Sequence, residues 1–261
     1  MKSKIAQAIQ TKYSPVAVVL TNEKPEGAIQ FLEGKWGCVA AMLNGAAKGK
    51  VAVFDRKTFG CFGGGVGLGF GNMYKNFPGG IEQFLSTGNE EFCSTEFGKI
   101  ISQQMPHIKD GESYIKTPEL AKKFVESLPI VEVPTEYVVF KPLIKLSDDE
   151  IPATVVFLVN PDQLSALVVL ANYGRETGDN VIAPFGAGCH QIGIFPYKES
   201  ESTSPKATIG LTDISIRTKF DKDIMSFAIP YKMFLEMESN VEGSFLQKHE
   251  WKAILERMTK D

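Results

Sequence analysis

Gly63-Gly-Gly-Val-Gly-Leu-Gly-Phe-Gly71 gathers six of the chain's 24 glycines into one short run, directly after Gly60-Cys61-Phe62. Glycine lacks Cβ, so such a run reaches positive φ without steric cost and lets other atoms approach the backbone closely. Two uses are open. The run is either a ligand loop, in which successive N–H groups form an anion nest, or a tight packing site between two parts of the chain. It is not a nucleotide motif, because no three of its glycines have the spacing G-x-G-x-x-G and the Gly-Lys-Ser/Thr of the P-loop is absent.

Around this run the composition is that of an ordinary folded chain. The 261 residues are 43% hydrophobic and 23% charged, ample for a sizeable core. A formal net charge of -3, without any Lys/Arg block, argues against a nucleic-acid binder that works by broad phosphate neutralisation. Residues 1–10 read as an amphipathic helix rather than a secretory signal, so a cytoplasmic location is expected. The longest apolar region, 151–173, is cut by Asn160-Pro-Asp-Gln163, and no membrane span is expected. Cys38, Cys61, Cys93 and Cys189 are too few and too scattered for a disulfide framework. They are core thiols or they carry chemistry.

The hydrophobic patterns predict an α/β chain, with α+β as the alternative, in which two pseudo-repeated halves surround a mixed sheet closed by a C-terminal helix. Short β-rich runs at 15–20, 51–54, 113–115, 136–140, 153–159, 181–185, 207–211 and 226–229 read as strands. Helices are expected in the second part of 28–47, at 81–85 and at 90–105. Two more carry start signals: Thr117 caps one with Pro118 at its first position, and Asn160 with Pro161 does the same for the next. Helices from Pro230 and over 244–258 complete the series.

An internal repeat is expected from the order of these pieces. Residues 17–20, 51–54 and Gly60-Cys61 match 154–157, 181–184 and Gly188-Cys189, and 114–120 match 227–233. Residues 1–261 are read as one compact domain, with pseudo-repeats at about 13–128 and 134–239 and a closing helix at about 244–259. Cys61 and Cys189 then occupy equivalent loops.

Three kinds of chemistry compete at these loops. Iron or zinc would be held by thiolates assembled from distant segments, Cys38, Cys61 and Cys189, with His190 as a nitrogen donor. A shared site of that kind needs the Cys61 and Cys189 sulfurs within roughly 4–7 Å, given metal–sulfur bonds of about 2.3 Å. A cysteine nucleophile at Cys61 or Cys189 would need a base that no second motif supplies. A small anionic ligand could instead be held by Cys61, Gly63, Gly64 and Gly65 with Arg217, one of four arginines, since guanidinium suits carboxylate and phosphate. Beside each stands a plainer account: core cysteines, packing glycines and an arginine paired with a neighbouring acid.

Pro15-Val-Ala-Val18, Cys38-Val-Ala-Ala-Met42, Gly60-Cys61-Phe-Gly-Gly64 with Leu68-Gly69, Pro161-Asp-Gln163, Phe185-Gly-Ala-Gly-Cys189, Thr212-Asp-Ile-Ser-Ile-Arg217 and Ser244-Phe-Leu246 with Trp251 resemble, in that order, the prokaryotic domain-of-unknown-function family 169, labelled uncharacterised ArCR. The resemblance implies a soluble protein and assigns no reaction. It makes Cys38, Cys61 and Cys189 better candidates than Cys93. The expected function is a cytoplasmic ligand- or metal-binding protein, iron–sulfur or redox related, with its site at the Cys61 glycine loop and Cys189-His190. A cysteine-dependent enzyme for a small anionic substrate and a structural or oligomerising module are the alternatives. Partners are expected to be a small ligand or metal, with neither nucleic acid nor membrane; a homo-oligomer is left open.

Overall fold

A computed structural model describes residues 1–259. Its centre is one mixed seven-stranded sheet in the order β2-β3-β1-β4-β7-β6-β5. The strands are β1 (Val16–Thr21), β2 (Ala52–Phe54), β3 (Tyr137–Pro142), β4 (Thr154–Val159), β5 (Val181–Ile182), β6 (Ala207–Gly210) and β7 (Met225–Pro230). Neighbours run antiparallel except β5 and β6. The α/β class, the mixed sheet and the C-terminal helix, His249–Met258, are as expected.

Helices cover both faces of this sheet, so the central strand β4 is buried along its whole length and apolar in every residue but Thr154, rather than alternating. On one face Ala17, Val19, Val155, Phe157, Phe227 and Ile229 pack against Ile5 and Ile9 of the first helix, Leu167 and Leu170 of Pro161–Asn172, Phe234 of Tyr231–Ser239, and Trp251. The other face presents Phe54, Phe140, Val18, Val156 and Ala228, which share it because they are cross-strand partners or lie two residues apart. Helices Val39–Ala47 and Gly188–Ile192 lie over that second face.

The register is symmetric about its middle. β1 meets β4 through Val16↔Val156, Ala17↔Val155 and Val18↔Thr154, so exchanging the strands about Ala17 and Val155 returns the same pairs. Outward, Val16 faces Pro142 and Thr154 faces Pro230, the last residues of β3 and β7. Further out, Ala52 pairs with Phe140 as Thr208 pairs with Ala228. At the rim Ile29 bridges Ala52 in parallel, as Ile182 pairs with Thr208. In this register β2 corresponds to β6 and β3 to β7. The cysteines that then follow equivalent strands are Cys38 and Cys189, each preceded by glycine and each at the start of a helix, rather than Cys61 and Cys189.

By its contacts the chain divides into two compact units, Met1–Phe70 with Val131 onward, and Gly71–Ile130. The second is helical: Ile81–Phe84, Glu90–Ser94, Glu96–Gln104, His107–Asp110 and Pro118–Ser127. The expected helix over 90–105 is broken where the Thr95 side chain accepts the Gly98 N–H and caps a new helix. The expected strand at 113–115 is absent, since Ser113 sits at φ 52 and the next residues bend into the Thr117-capped helix. Among the described residues no helix is long and apolar enough to cross a membrane.

Candidate functional site

The glycine run is a helix, not the expected loop. Phe62–Leu68 is helical, with Gly63, Gly64 and Gly65 in its first turns, and Gly69 closes it at φ 87 in the left-handed conformation. Glycine is a poor helix former, by about 1 kcal/mol per residue against alanine, so the cause is tertiary. A Cβ on Gly64 would stand 2.7 Å from the Phe59 carbonyl and from Val39 Cγ2, and one on Gly67 would stand 2.5 Å from the main-chain carbon of Cys189. Only glycines let the Cys61 helix settle on the Cys189 helix at this separation.

That packing gathers cysteines. Cys61 caps its helix, its Sγ accepting the Gly64 N–H at 3.2 Å. Gly60, just before it, lies against the Gly37 carbonyl, 2.5 Å from where its Cβ would be, which brings Cys61 beside the Gly37-Cys38 turn. Cys38 is the cap residue of Val39–Ala47 and makes no side-chain cap hydrogen bond there. The positions of Gly64 and Gly67 share a helix face about 5–6 Å apart. Cys61 Sγ lies 3.5 Å from one and Cys189 Cβ 2.6 Å from the other. Cys38 and Cys61 are half-buried and Cys189 is buried.

The electrostatics reflect this crowding. Burial pushes the Cys61 thiol up to about 11, helped by the charges of Cys38 and Asp213 and opposed by the Gly64 N–H. Burial also raises Cys189 well above its ordinary value, with Cys61, Cys38 and Asp213 adding to it. Asp213 accepts the Gly188 N–H at 3.1 Å and caps Ile214–Lys219 through Ser215. In the sequence it is no more than an acid four residues before Arg217.

His190 and Arg217 stand in other surroundings. His190 is buried against Gly186 and edge-on to Phe195, and burial lowers its imidazole to about 3, so it is neutral at neutral pH. Arg217 donates to the carbonyls of Ile224, Lys222 and Leu211, fastening the segment between Ile214–Lys219 and β7. Cys93 lies in Glu90–Ser94 of the other compact unit. Among the described residues no three His, Cys, Asp or Glu side chains are grouped as ligands of a single metal ion.

The fold and this group define an α/β protein with thiols from three separate segments gathered over one face of its sheet. The family model described as DUF169, uncharacterised ArCR, matches residues 4–240, and the chain belongs to that family. No curated protein and no solved structure matches it.

Proposed function

We propose that this protein binds a soft, thiol-seeking centre through Cys38, Cys61 and Cys189, and that the centre is an iron–sulfur cluster. The observation that carries this reading is the convergence of the three cysteines on the glycine-lined contact between the Cys61 and Cys189 helices. A single tetrahedral ion with metal–sulfur bonds of about 2.3 Å draws its sulfurs to within about 4 Å. A polynuclear core spans wider thiols and uses cysteine as its common ligand. A backbone N–H already points at the Cys61 sulfur, the kind of donor that stabilises thiolate charge around such a core. Protons leave the three thiols on binding, so occupancy rises with pH.

The test is anaerobic reconstitution with iron and sulfide, read by visible absorption and by iron and sulfide analysis. Wild type and Cys93→Ser take up colour and both elements, while Cys38→Ser, Cys61→Ser and Cys189→Ser each lose most of the uptake. A wild-type protein that stays colourless and iron-free sinks the proposal.

A second reading, a structural module, draws on the same glycines: Gly64, Gly67, Gly188 and Gly193 each abut a neighbour that a Cβ would displace. On that reading the three serine variants change stability alone. The raised Cys61 and Cys189 thiols and the commitment of Arg217 to backbone carbonyls speak against a cysteine-dependent enzyme for an anionic substrate.

A further inference from the structure

We propose that the sheet binds ordered water beneath the helix Gly188–Ile192, held by the hydroxyls of Thr208 and Ser226 and the side-chain oxygen of Gln191. This site stands whether or not the thiols hold a cluster. The symmetric register points to it, because four positions on the second face of one half answer four in the other. Around β2 and β3 they are Ala52, Phe54, Val138 and Phe140. Around β6 and β7 they are Thr208, Gly210, Ser226 and Ala228.

The two patches are filled in opposite ways. In the first, every side chain is apolar and buried, and the rings of Phe54 and Phe140 meet edge to face with centroids 4.9 Å apart. In the second, Gly210 and Ala228 stand in place of the two rings, and Thr208 and Ser226 put hydroxyls in place of Ala52 and Val138. Gln191 comes down over this patch, its Cβ 2.6 Å from where a Cβ on Gly210 would be. One glutamine side chain is smaller than two phenyl rings, and the difference in bulk is the room that water takes on this reading.

Thr208 and Ser226 are both 0% exposed, and neither hydroxyl has a hydrogen-bond partner among the described residues. A buried hydroxyl loses its hydration on folding, so in folded proteins such groups are satisfied by protein atoms or by ordered water. Thr154, the other unpartnered hydroxyl on these strands, also falls in the second half, in place of Val16. Gln191 is fully buried as well. Its amide nitrogen donates to the Pro184 carbonyl and the Thr212 hydroxyl, and its oxygen accepts the Thr212 N–H at 3.3 Å, which leaves that oxygen a second lone pair. The point where a Cβ on Gly210 would be lies 2.6 Å from Ser226 Oγ and 3.1 Å from Gln191 Oε1, so these two oxygens border one spot. Thr208 is the diagonal neighbour of Ser226 on the same face. Three uncharged polar partners on one patch, two of them able to donate and all three to accept, suit water, which needs two to four such partners in a protein interior.

The experiment is a crystal structure of the whole chain at a resolution that shows ordered solvent, paired with urea unfolding of Ser226→Ala and Thr208→Val. Water is expected within about 3.2 Å of Ser226 Oγ and of Thr208 Oγ1 or Gln191 Oε1. Both variants are expected to unfold at lower urea than wild type, because each removes one partner of the water and leaves the others short of a bond. A hydroxyl with no partner at all behaves in the opposite way: its removal relieves a cost, and the urea midpoint rises. Higher midpoints in both variants therefore overturn the proposal. So does a wild-type structure with no water at these oxygens, whatever the variants do.

Discussion

At the scale of single residues the glycines do the positioning. Gly67→Ala puts a methyl group against the Cys189 main chain, which cannot move aside as a flexible side chain would. The variant is expected to lose about 1–3 kcal/mol in denaturant unfolding, more than alanine regains in helix propensity. Gly178→Ala, with nothing within 4 Å of the new Cβ, is the control and should change stability by less than about 0.5 kcal/mol. His190 supplies a pH dependence. Its imidazole titrates at about 3 in the fold against an ordinary 6.5, so the unfolded chain binds the proton more readily between those values. Stability from this group is whole above pH 6.5 and falls progressively toward pH 3, by several kcal/mol in all. His190→Gln should flatten that slope in urea titrations across pH 3–6.5; an unchanged slope would show that other groups set it. The sequence made Cys38, Cys61 and Cys189 visible by their glycine neighbours. It could not show that Asp213 reaches Gly188, because a carboxylate in Thr-Asp-Ile-Ser reads as an ordinary cap until its fold partner is known.

Among elements, legibility followed local chemistry. Asn160-Pro-Asp-Gln163 was readable as a helix start because its signals lie within four residues, and both hydrogen bonds of its capping box form. Asn160→Ala should cost about 1 kcal/mol in thermal or urea unfolding. Gln163 ties the same turn to the Ile9 and Gln10 carbonyls, so a much smaller loss would mean that these longer-range bonds hold it. The glycine helix was not readable, since its local propensity opposes the conformation and the contacts that impose it come from Val39 and Cys189, far away in the chain. Cys61→Ser should leave that helix capped, because serine is a preferred cap residue. On the proposed reading, a loss of metal uptake in that variant would therefore report the thiol and not the fold.

At the scale of the whole molecule, the pairing of the sheet groups the strands differently from the repeat expected in the sequence. Matching Val51–Phe54 to Val181–Pro184 compares two short apolar runs, whereas pairing is fixed by partners, and β2 shares its neighbours' pattern with β6. The helix Pro161–Asn172 follows β4 and has no counterpart after β1, and Gly71–Ile130 separates β2 from β3, so linear spacing drifts between the halves. That inserted unit leaves and rejoins the larger one at a closed point: Phe70 bridges Glu132, and the Val133 N–H bonds the Gly69 carbonyl. Replacing 71–130 by a short glycine linker is expected to leave the larger unit folded, with a single cooperative melt and native strand content; a molten product would refute this.

The seam between the halves gives the thiols a mechanical meaning. β1 and β4 share three paired residues where β1 and β3 share six. On the proposed reading, a centre bound by Cys38 and Cys61 from one side and Cys189 from the other would be a clasp across the join. Loading it would draw the halves together, and its loss would let amides along β1 and β4 exchange with solvent before those deeper in either half.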